Sequence, residues 1–308
     1  MREVEGLGEV EIVERIRRRA ALSGSPGLVL GIGDDCSIFR PSGGREDLLF
    51  TTDLLIQDVH FRTETHSPEA AGHKTLARGL SDIAAMGGIP RFCLLSLMLG
   101  PQADDRWMRR FFDGLLRLAG RTGTALAGGD LARAEKTACD IVVCGAVPRG
   151  TALRRDRAKA GDAIYVSGRL GGSALGLATG KGRAWATHLR PEPRLALGQF
   201  LRKQRATAAM DLSDGLSLDL RRMALASGIE AHIEAPPRFR GATLEQALDG
   251  GEDYELLFTV RSRAKVPPAF EGVKLTRIGV MRKGTAGAVF LNGKPLPAHG
   301  YDHFRSGR

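Results

Sequence analysis

Acidic residues stand at the junctions between apolar segments of this sequence. The stretch MDLSDGLSLDL, residues 210–220, holds three aspartates within nine residues, and GIGDDC, residues 31–36, holds two more beside glycines. The carboxylates that share this setting are Asp34, Asp35, Asp53, Asp82, Asp130, Asp211 and Asp214. If they converge, they repel one another and lose hydration, so their convergence requires cations. Because Mg²⁺ prefers carboxylate oxygens and is usually completed by phosphate and water, the pattern predicts a magnesium site that holds phosphate.

Each carboxylate also has an ordinary structural explanation. Asp214 alone could cap a helix, and Asp82 alone could form a solvated ion pair with Arg78, four residues earlier. Asp34 and Asp35 could form an ordinary turn. These alternatives stay open for the single residues, but they account poorly for so many carboxylates beside apolar segments.

The common nucleotide-binding motifs are missing from the sequence. There is no G-x-x-x-x-G-K-[ST] and no G-x-G-x-x-G with a strand lysine. The stretch SGRLGGSALGL resembles a phosphate-binding turn, but a glycine-rich turn before a helix is weak support on its own. A nucleotide would therefore bind here through a different architecture.

The composition is that of a globular protein with a positive charge. The 308 residues include 45 basic and 35 acidic side chains, which gives a formal charge of +10. The excess is spread along the chain without a basic tail or an aromatic-interleaved patch, so it favours small anions over nucleic acid. A nucleic-acid-binding protein would also leave the acidic junctions unexplained.

The cysteines and the apolar segments indicate the compartment. Cys36, Cys93, Cys139 and Cys144 form no C-x-x-C pair, which favours free thiols in a reducing environment over a zinc site. No apolar run approaches the roughly 20 residues that cross a bilayer, and the first residues lack the apolar core of a signal peptide. We therefore expect a cytoplasmic protein without a membrane partner.

Apolar periodicity predicts alternating strands and helices, an α/β arrangement around a mixed sheet. Helices are predicted at residues 9–20, 69–86 and 104–123. Strands are predicted at residues 28–30, 48–52, 91–99, 124–130 and 140–148, with Asp53 and Asp130 at strand ends. A boundary at Pro148-Arg149-Gly150 divides the chain into domains 1–148 and 149–308, the second restarting with the strand, glycine turn and helix of DAIYVSGRLGGSALGLA.

Several motifs appear together in the order of a known family. GIGDDCSIF, TTDLLIQDVHF, LSDIAAMGG, AGGD, MDLSDGL, GGEDYELLFTV and GYDHF resemble the thiamine-monophosphate kinases, within the wider aminoimidazole ribonucleotide synthetase-like group. The resemblance implies two α/β (α+β) domains, the first dimerising through its sheet and the second closing the cleft. It also implies that ATP, with several Mg²⁺ ions, phosphorylates thiamine monophosphate to thiamine diphosphate, without a catalytic general base.

The resemblance also implies roles for individual residues. The implied metal ligands are Asp35, Thr51, Thr52, Asp53, Asp82, Asp130, Asp211 and Asp214. The implied ATP contacts are Gly129, Asp130, Arg155 and Ser213, and the implied contacts to the thiamine substrate are His60, Glu252 and Tyr301. Ordinary roles stay open for His60 as a strand-end histidine, Arg155 as a solvated member of RRDR, and Tyr301 as C-terminal packing.

Two positions depart from the family pattern. Gly79 stands where asparagine usually precedes Leu-Ser-Asp, and Leu131 stands where a hydroxyl residue usually follows Gly-Gly-Asp. Two rival functions share the scaffold: a sibling synthetase that uses ATP to activate a carbonyl oxygen, and a non-catalytic nucleotide-binding regulator. GGEDYEL and GYDHF favour the kinase over the synthetase.

Overall fold

A six-stranded mixed sheet forms the first half of the protein. In the computed structural model, which describes residues 8–20 and 25–304, its strand order is β1-β2-β3-β6-β4-β5. The strands are β1 (Leu28–Leu30), β2 (Ser37–Phe39), β3 (Glu46–Ile56), β4 (Ile89–Leu99), β5 (Ala125–Arg133) and β6 (Ala138–Pro148). Only β4 and β5 pair in parallel among these neighbours. The predicted mixed sheet is confirmed.

Three helices accompany this sheet: α1 (Glu9–Ala20), α2 (Pro68–Ala85) and α3 (Asp105–Thr122). The Ser67 side chain caps α2 by accepting the Ala70 N–H, and Asp104 caps α3 in the same way. Helix α3 ends at Gly123, whose left-handed φ of 67° suits glycine. The predicted helices are confirmed to within two residues at each end.

A second sheet follows in the order β14-β13-β9-β12-β7-β10-β8, with β11 pairing to β12. Its strands are β7 (Ala163–Ser167), β8 (Ala208–Asp211), β9 (Glu230–Ile233), β10 (Leu256–Val260), β11 (Ala269–Phe270), β12 (Val273–Arg282), β13 (Val289–Leu291) and β14 (Lys294–Pro295). Its helices are α4 (Gly172–Thr179), α5 (Gly182–Leu189), α6 (Leu195–Lys203), α7 (Leu216–Ala226) and α8 (Leu244–Asp249). The two sheets fall on either side of residue 148, and the domain division there stays a prediction.

Strands β3 and β5 are longer than predicted. All of β3 pairs with β6, from Glu46 opposite Pro148 to Ile56 opposite Ala138. Asp53 therefore lies within β3 rather than at its end, and Asp130 lies within β5. Backbone pairing along the whole strand outweighs the low strand propensity of single aspartates.

Helix α2 joins the two halves of the protein. Most of its residues are buried, and one hydrophobic cluster combines its Ala84 and Ala85 with Leu197 of α6 and Phe258 of β10. A Cβ added to Gly198 would lie 1.9 Å from the Ala84 carbonyl oxygen, so this glycine permits the close approach of α6. No helix within the described ranges is long and apolar enough to cross a membrane.

Candidate active site

Three carboxylates from distant parts of the chain meet where the two halves of the protein face each other. Asp35 lies in the turn before β2, Asp82 on α2, and Asp211 at the end of β8. One oxygen from each lies within 4.8 Å of the others. Thr51 Oγ1 donates to Asp82 Oδ2 at 2.5 Å, and Ser81 Oγ donates to Asp211 Oδ2 at 2.7 Å. The structure therefore brings these three predicted ligands into one cluster with oriented oxygens.

The surroundings of the cluster suit a divalent cation. Asp35 Oδ2 is buried and has no hydrogen-bond partner among the residues that the structure describes. Burial, together with repulsion between the carboxylates, raises the pKa of Asp82 and of Asp211 well above the ordinary value. Burial also raises the pKa of Asp35, although Arg155 opposes that shift. Because the donors are carboxylate oxygens, the residues present fit the Mg²⁺ ion that the sequence predicted.

After metal is chelated, we expect the stability of the protein to fall as pH rises from about 7 to 8. Burial lowers the pKa of four histidines below the unfolded value of about 6.5, so in this range they are neutral in the folded state and mostly neutral in the unfolded state. Burial and a neighbouring carboxylate raise the pKa of Asp34 and of Asp219 to about 7, and they raise the pKa of Asp82 and of Asp211 well above the ordinary value. The folded state then holds more protons than the unfolded state, so stability is lost as these groups ionise.

The measurement is the unfolding temperature in EDTA and in Mg²⁺ at several pH values. Mg²⁺ should flatten the decline, since it neutralises the ionised carboxylates. A metal-free unfolding temperature that rises over the same range would contradict this account of the cluster.

Arg155 lies at the edge of the cluster, in a single 3₁₀ turn. Its guanidinium pairs with Asp35 and, at 3.5 Å, with Asp34. Its backbone N–H donates to Asp34 Oδ2 at 3.2 Å. The side chain is 16% exposed, so the alternative of a solvated member of RRDR is wrong. Arg155 is already paired with two carboxylates, and its contact with ATP phosphates stays a prediction.

The turn before α7 is held by Asp219, in the first turn of the helix, and Asp214 does not cap the helix. Asp219 Oδ2 accepts the backbone N–H groups of Asp214 and Gly215, both at 3.1 Å. The Asp214 carboxylate instead pairs with the Arg222 guanidinium. The interpretation of Asp214 as a helix cap is therefore wrong, and its role as a metal ligand stays a prediction.

Glu252 lies in the loop between α8 and β10 with a positive φ of 63°, which is uncommon for a residue other than glycine. Its N–H donates to the Ser213 carbonyl at 2.7 Å, so this loop is attached to the DLSD turn. Its carboxylate oxygens contact Lys74 Nζ at 2.8 and 2.9 Å, and the Lys74 side chain is fully buried. Although burial opposes ionisation, Lys74 lowers the pKa of Glu252 to about 2, so the carboxylate is charged at neutral pH.

The other two predicted substrate residues meet at His303. His60 Nε2 lies 3.4 Å from His303 Nε2, and the Tyr301 hydroxyl lies 3.3 Å from His303 Nδ1. The Tyr301 N–H also donates to the Asp214 carbonyl at 3.0 Å, so the GYDHF segment folds back onto the DLSD turn. Burial lowers the pKa of His60 to about 3, which keeps its imidazole neutral.

Asp53 lies outside the cluster of Asp35, Asp82 and Asp211. Its Oδ1 is 2.8 Å from Arg78 Nη2. Arg78 therefore pairs with Asp53, and the solvated pair between Arg78 and Asp82 considered from the sequence is wrong. Asp53 still influences the cluster, because its charge helps to raise the pKa of Asp82.

Thr52 and Asp130 lie on the opposite face of the first sheet from Asp53. Side chains alternate along β3, and the Thr52 hydroxyl donates to Asp140 Oδ1 at 2.5 Å on the outer face. Asp130 stands opposite Ser96 on that face and is exposed. Gly129 packs so tightly that an added Cβ would lie 1.8 Å from a β4 carbonyl oxygen. Within one chain the structure does not bring these predicted residues to the cluster.

Comparison with known proteins identifies the family. The models "AIR synthase related protein, N-terminal domain" and "AIR synthase related protein, C-terminal domain" match residues 33–150 and 159–292. The thiamine-monophosphate kinase of Salmonella typhimurium is 39% identical, with 89% of this chain and 91% of that protein covered. The Bacillus subtilis thiamine-monophosphate kinase is 33% identical, with 90% and 94% covered. This chain belongs to the thiamine-monophosphate kinase family.

A solved member of the same family has a closely similar fold. AaThiL complexed with AMPPCP and TMP superimposes with a TM-score of 0.87 at 31% identity, covering 99% of both chains. The predicted family and the predicted two-part α/β fold are confirmed. The sibling synthetase, which the motifs GGEDYEL and GYDHF disfavoured, is not supported by these relatives.

The packing of α2 explains one departure from the thiamine-monophosphate kinase pattern. A Cβ at Gly79 would lie 2.6 Å from Val143 Cγ2 on β6, so a side chain there requires the Val143 side chain or its strand to shift. Leu131, the other departure, is 66% exposed. Nothing in the structure explains why a leucine stands there.

Sequence reasoning missed three of the ion pairs that neutralise the site. Lys74, Arg78 and Arg222 each pair with a predicted site residue. Lys74 and Arg78 both lie on α2, about two helical turns and one helical turn before Asp82. That spacing was a usable signal, because residues at i, i+4 and i+8 share a helix face.

Proposed function

We propose that this protein transfers the γ-phosphoryl group of ATP to the phosphate of thiamine monophosphate, giving thiamine diphosphate and ADP. The observation that carries the proposal is the convergence of Asp35, Asp82 and Asp211 beside Glu252 and the GYDHF segment. One side of this site fits charged phosphates with metal, and the other holds the residues that the family resemblance assigns to the thiamine moiety. The AMPPCP and TMP in the AaThiL complex support the same pair of substrates.

The difficulty in this reaction is to bring two polyanions together in line. The acceptor is a phosphate that is already ionised, so no general base is needed, and the neutral, half-buried His60 is consistent with a contact role. Positioning and electrostatic stabilisation therefore account for the catalysis. Arg155, at the carboxylate cluster, would position ATP. The Lys74–Glu252 pair, on the opposite side of the site, would position thiamine monophosphate.

We propose Mg²⁺ as the cation, held first by Asp35, Asp82 and Asp211. When bound there, it would neutralise charge on the transferring phosphoryl group. The buried, unpartnered Oδ2 of Asp35 supports this assignment. The four cysteines are all free and buried, which fits the proposed cytoplasmic location.

The direct test is incubation with ATP, Mg²⁺ and thiamine monophosphate, followed by chromatographic detection of thiamine diphosphate. Unphosphorylated thiamine as acceptor is the control, and we expect no product from it because it lacks the accepting phosphate. ADP formation without thiamine diphosphate, or equal use of thiamine, would overturn the proposal.

We also propose that the protein is a homodimer, joined through the outer face of the first sheet, and that residues 1–148 and 149–308 form its two domains. That face carries Leu54, Leu94 and Met98 with 48%, 38% and 39% exposure. Neighbouring exposed apolar side chains on one sheet face are typical of an interface. Asp130 lies on the same face, so a partner subunit would surround this predicted nucleotide contact.

Replacing Leu94 and Met98 with glutamate should convert the dimer to a monomer. Two charges would be buried without partners at the interface, a cost that exceeds the gain from association. Sedimentation velocity measures the change, with Leu116→Glu as control because Leu116 is exposed on α3 instead. A double variant that still sediments as the wild-type dimer would place the interface elsewhere.

A further inference from the structure

One face of α2 carries a row of three charged residues that points into the cleft. Lys74, Arg78 and Asp82 are spaced four residues apart, so they share this face. Each contacts a different part of the site: Lys74 contacts Glu252, Arg78 contacts Asp53, and Asp82 belongs to the carboxylate cluster. Arg78 therefore stands between the substrate side and the metal side, about 6 Å along the helix from each neighbour in the row.

Arg78 has more hydrogen-bonding capacity than the protein satisfies. Its side chain is only 14% exposed, and a single carboxylate oxygen, Asp53 Oδ1, contacts its Nη2. Both Nε and Nη1 are buried without a hydrogen-bond partner in residues 8–20 and 25–304. Unsatisfied buried N–H groups are unfavourable, and an arriving anion would relieve that cost. An ion pair needed only to neutralise Asp53 would not require these additional donors.

Two of the groups that interact electrostatically with the Arg78 guanidinium, Glu252 and His60, are predicted substrate residues. The buried Tyr254 and the paired Asp53 interact with it as well. The acceptor must place its thiamine moiety near Glu252 and its phosphate toward the metal cluster. The position between them on α2 is that of Arg78.

We propose that Arg78 binds the phosphate of the acceptor, thiamine monophosphate, through the unpaired part of its guanidinium fork. This inference rests on the proposed function and adds a residue to it. A guanidinium suits this task because its planar donors match the oxygens of a phosphate. A lysine ammonium matches them less well. Arg78 also keeps Asp53 paired before substrate arrives.

The test compares the affinity of thiamine monophosphate with that of thiamine, measured by isothermal titration calorimetry in Mg²⁺. Arg78→Met should weaken thiamine monophosphate binding by about tenfold or more and change thiamine binding less than twofold, because only the first ligand has the phosphate. Arg78→Lys should fall in between. Arg40→Met is the control, since Arg40 pairs with the buried Asp47 on β3, at the edge of the first half.

The outcomes separate the possible roles of Arg78. If Arg78→Met weakens both ligands equally, or neither, the residue does not recognise phosphate and the proposal fails. If the variant binds Mn²⁺ more tightly with unchanged thiamine monophosphate affinity, Arg78 serves only to replace a cation at Asp53, and the proposal also fails. If Arg78→Met does not fold, Arg78→Lys decides, and wild-type affinity in that variant overturns the inference. Turnover by the wild-type protein tests the proposed function independently of all these results.

Discussion

Asp82→Asn is expected to lower kcat by on the order of a thousandfold while leaving the protein folded. Asp82 lies at the centre of the candidate site, with one oxygen within 4.8 Å of oxygens of Asp35 and Asp211 and with a hydrogen bond from Thr51. Asparagine keeps the shape but removes the charge that holds the cation. The rate of ADP and thiamine diphosphate formation at saturating substrate measures the loss.

The same substitution should have the opposite effect on the metal-free protein. Burial and like charge raise the pKa of Asp82, so the ionised carboxylate is unfavourable there at neutral pH. Asp82→Asn should therefore raise the unfolding temperature in EDTA and reduce the further increase that Mg²⁺ causes. Asp105→Asn, at an exposed ion pair on α3, is the matched control. Near-normal kcat for Asp82→Asn at low Mg²⁺ would count decisively against the metal-cluster account.

Lys74→Met is expected to destabilise the protein by about 3 kcal/mol, toward the lower end for a broken buried ion pair. Lys74 is fully buried, and its Nζ contacts both carboxylate oxygens of Glu252. Removing it leaves Glu252 as an unpaired charge, although the 25% exposure of that side chain moderates the cost. Denaturant titration measures the free energy of unfolding, and thiamine monophosphate affinity should fall as Glu252 loses its position.

A double variant distinguishes loss of the pair from loss of packing. Lys74→Met with Glu252→Gln removes both charges, so it should recover most of the lost stability but not the substrate affinity. Lys136→Met is the control at an exposed pair with Asp58, where we expect less than about 1 kcal/mol. If Lys74→Met alone is as stable as wild type, the pair does not stabilise the fold.

The sequence alone predicted the elements and the chemistry of the site. Apolar periodicity, with glycines such as Gly123 near helix ends, placed the helices of the first half to within two residues, because these signals are local. The recurrence of aspartates beside apolar segments predicted that Asp35, Asp82 and Asp211 converge on a cation. The quoted motifs predicted the family, which the comparisons confirm.

Only the tertiary structure decided which residues form ion pairs and on which face of the first sheet each side chain lies. Arg78 pairs with Asp53 rather than Asp82, since β3 approaches α2 across the sheet face, a contact that helical spacing does not describe. Pairing along the full length of β3 extends the strand past Asp53 and turns Thr52 to the outer face. Ion pairs form through space between segments far apart in sequence, whereas caps and periodicity act within a few residues. For that reason the sequence could predict which residues carry the chemistry, but the fold determined which charges neutralise them.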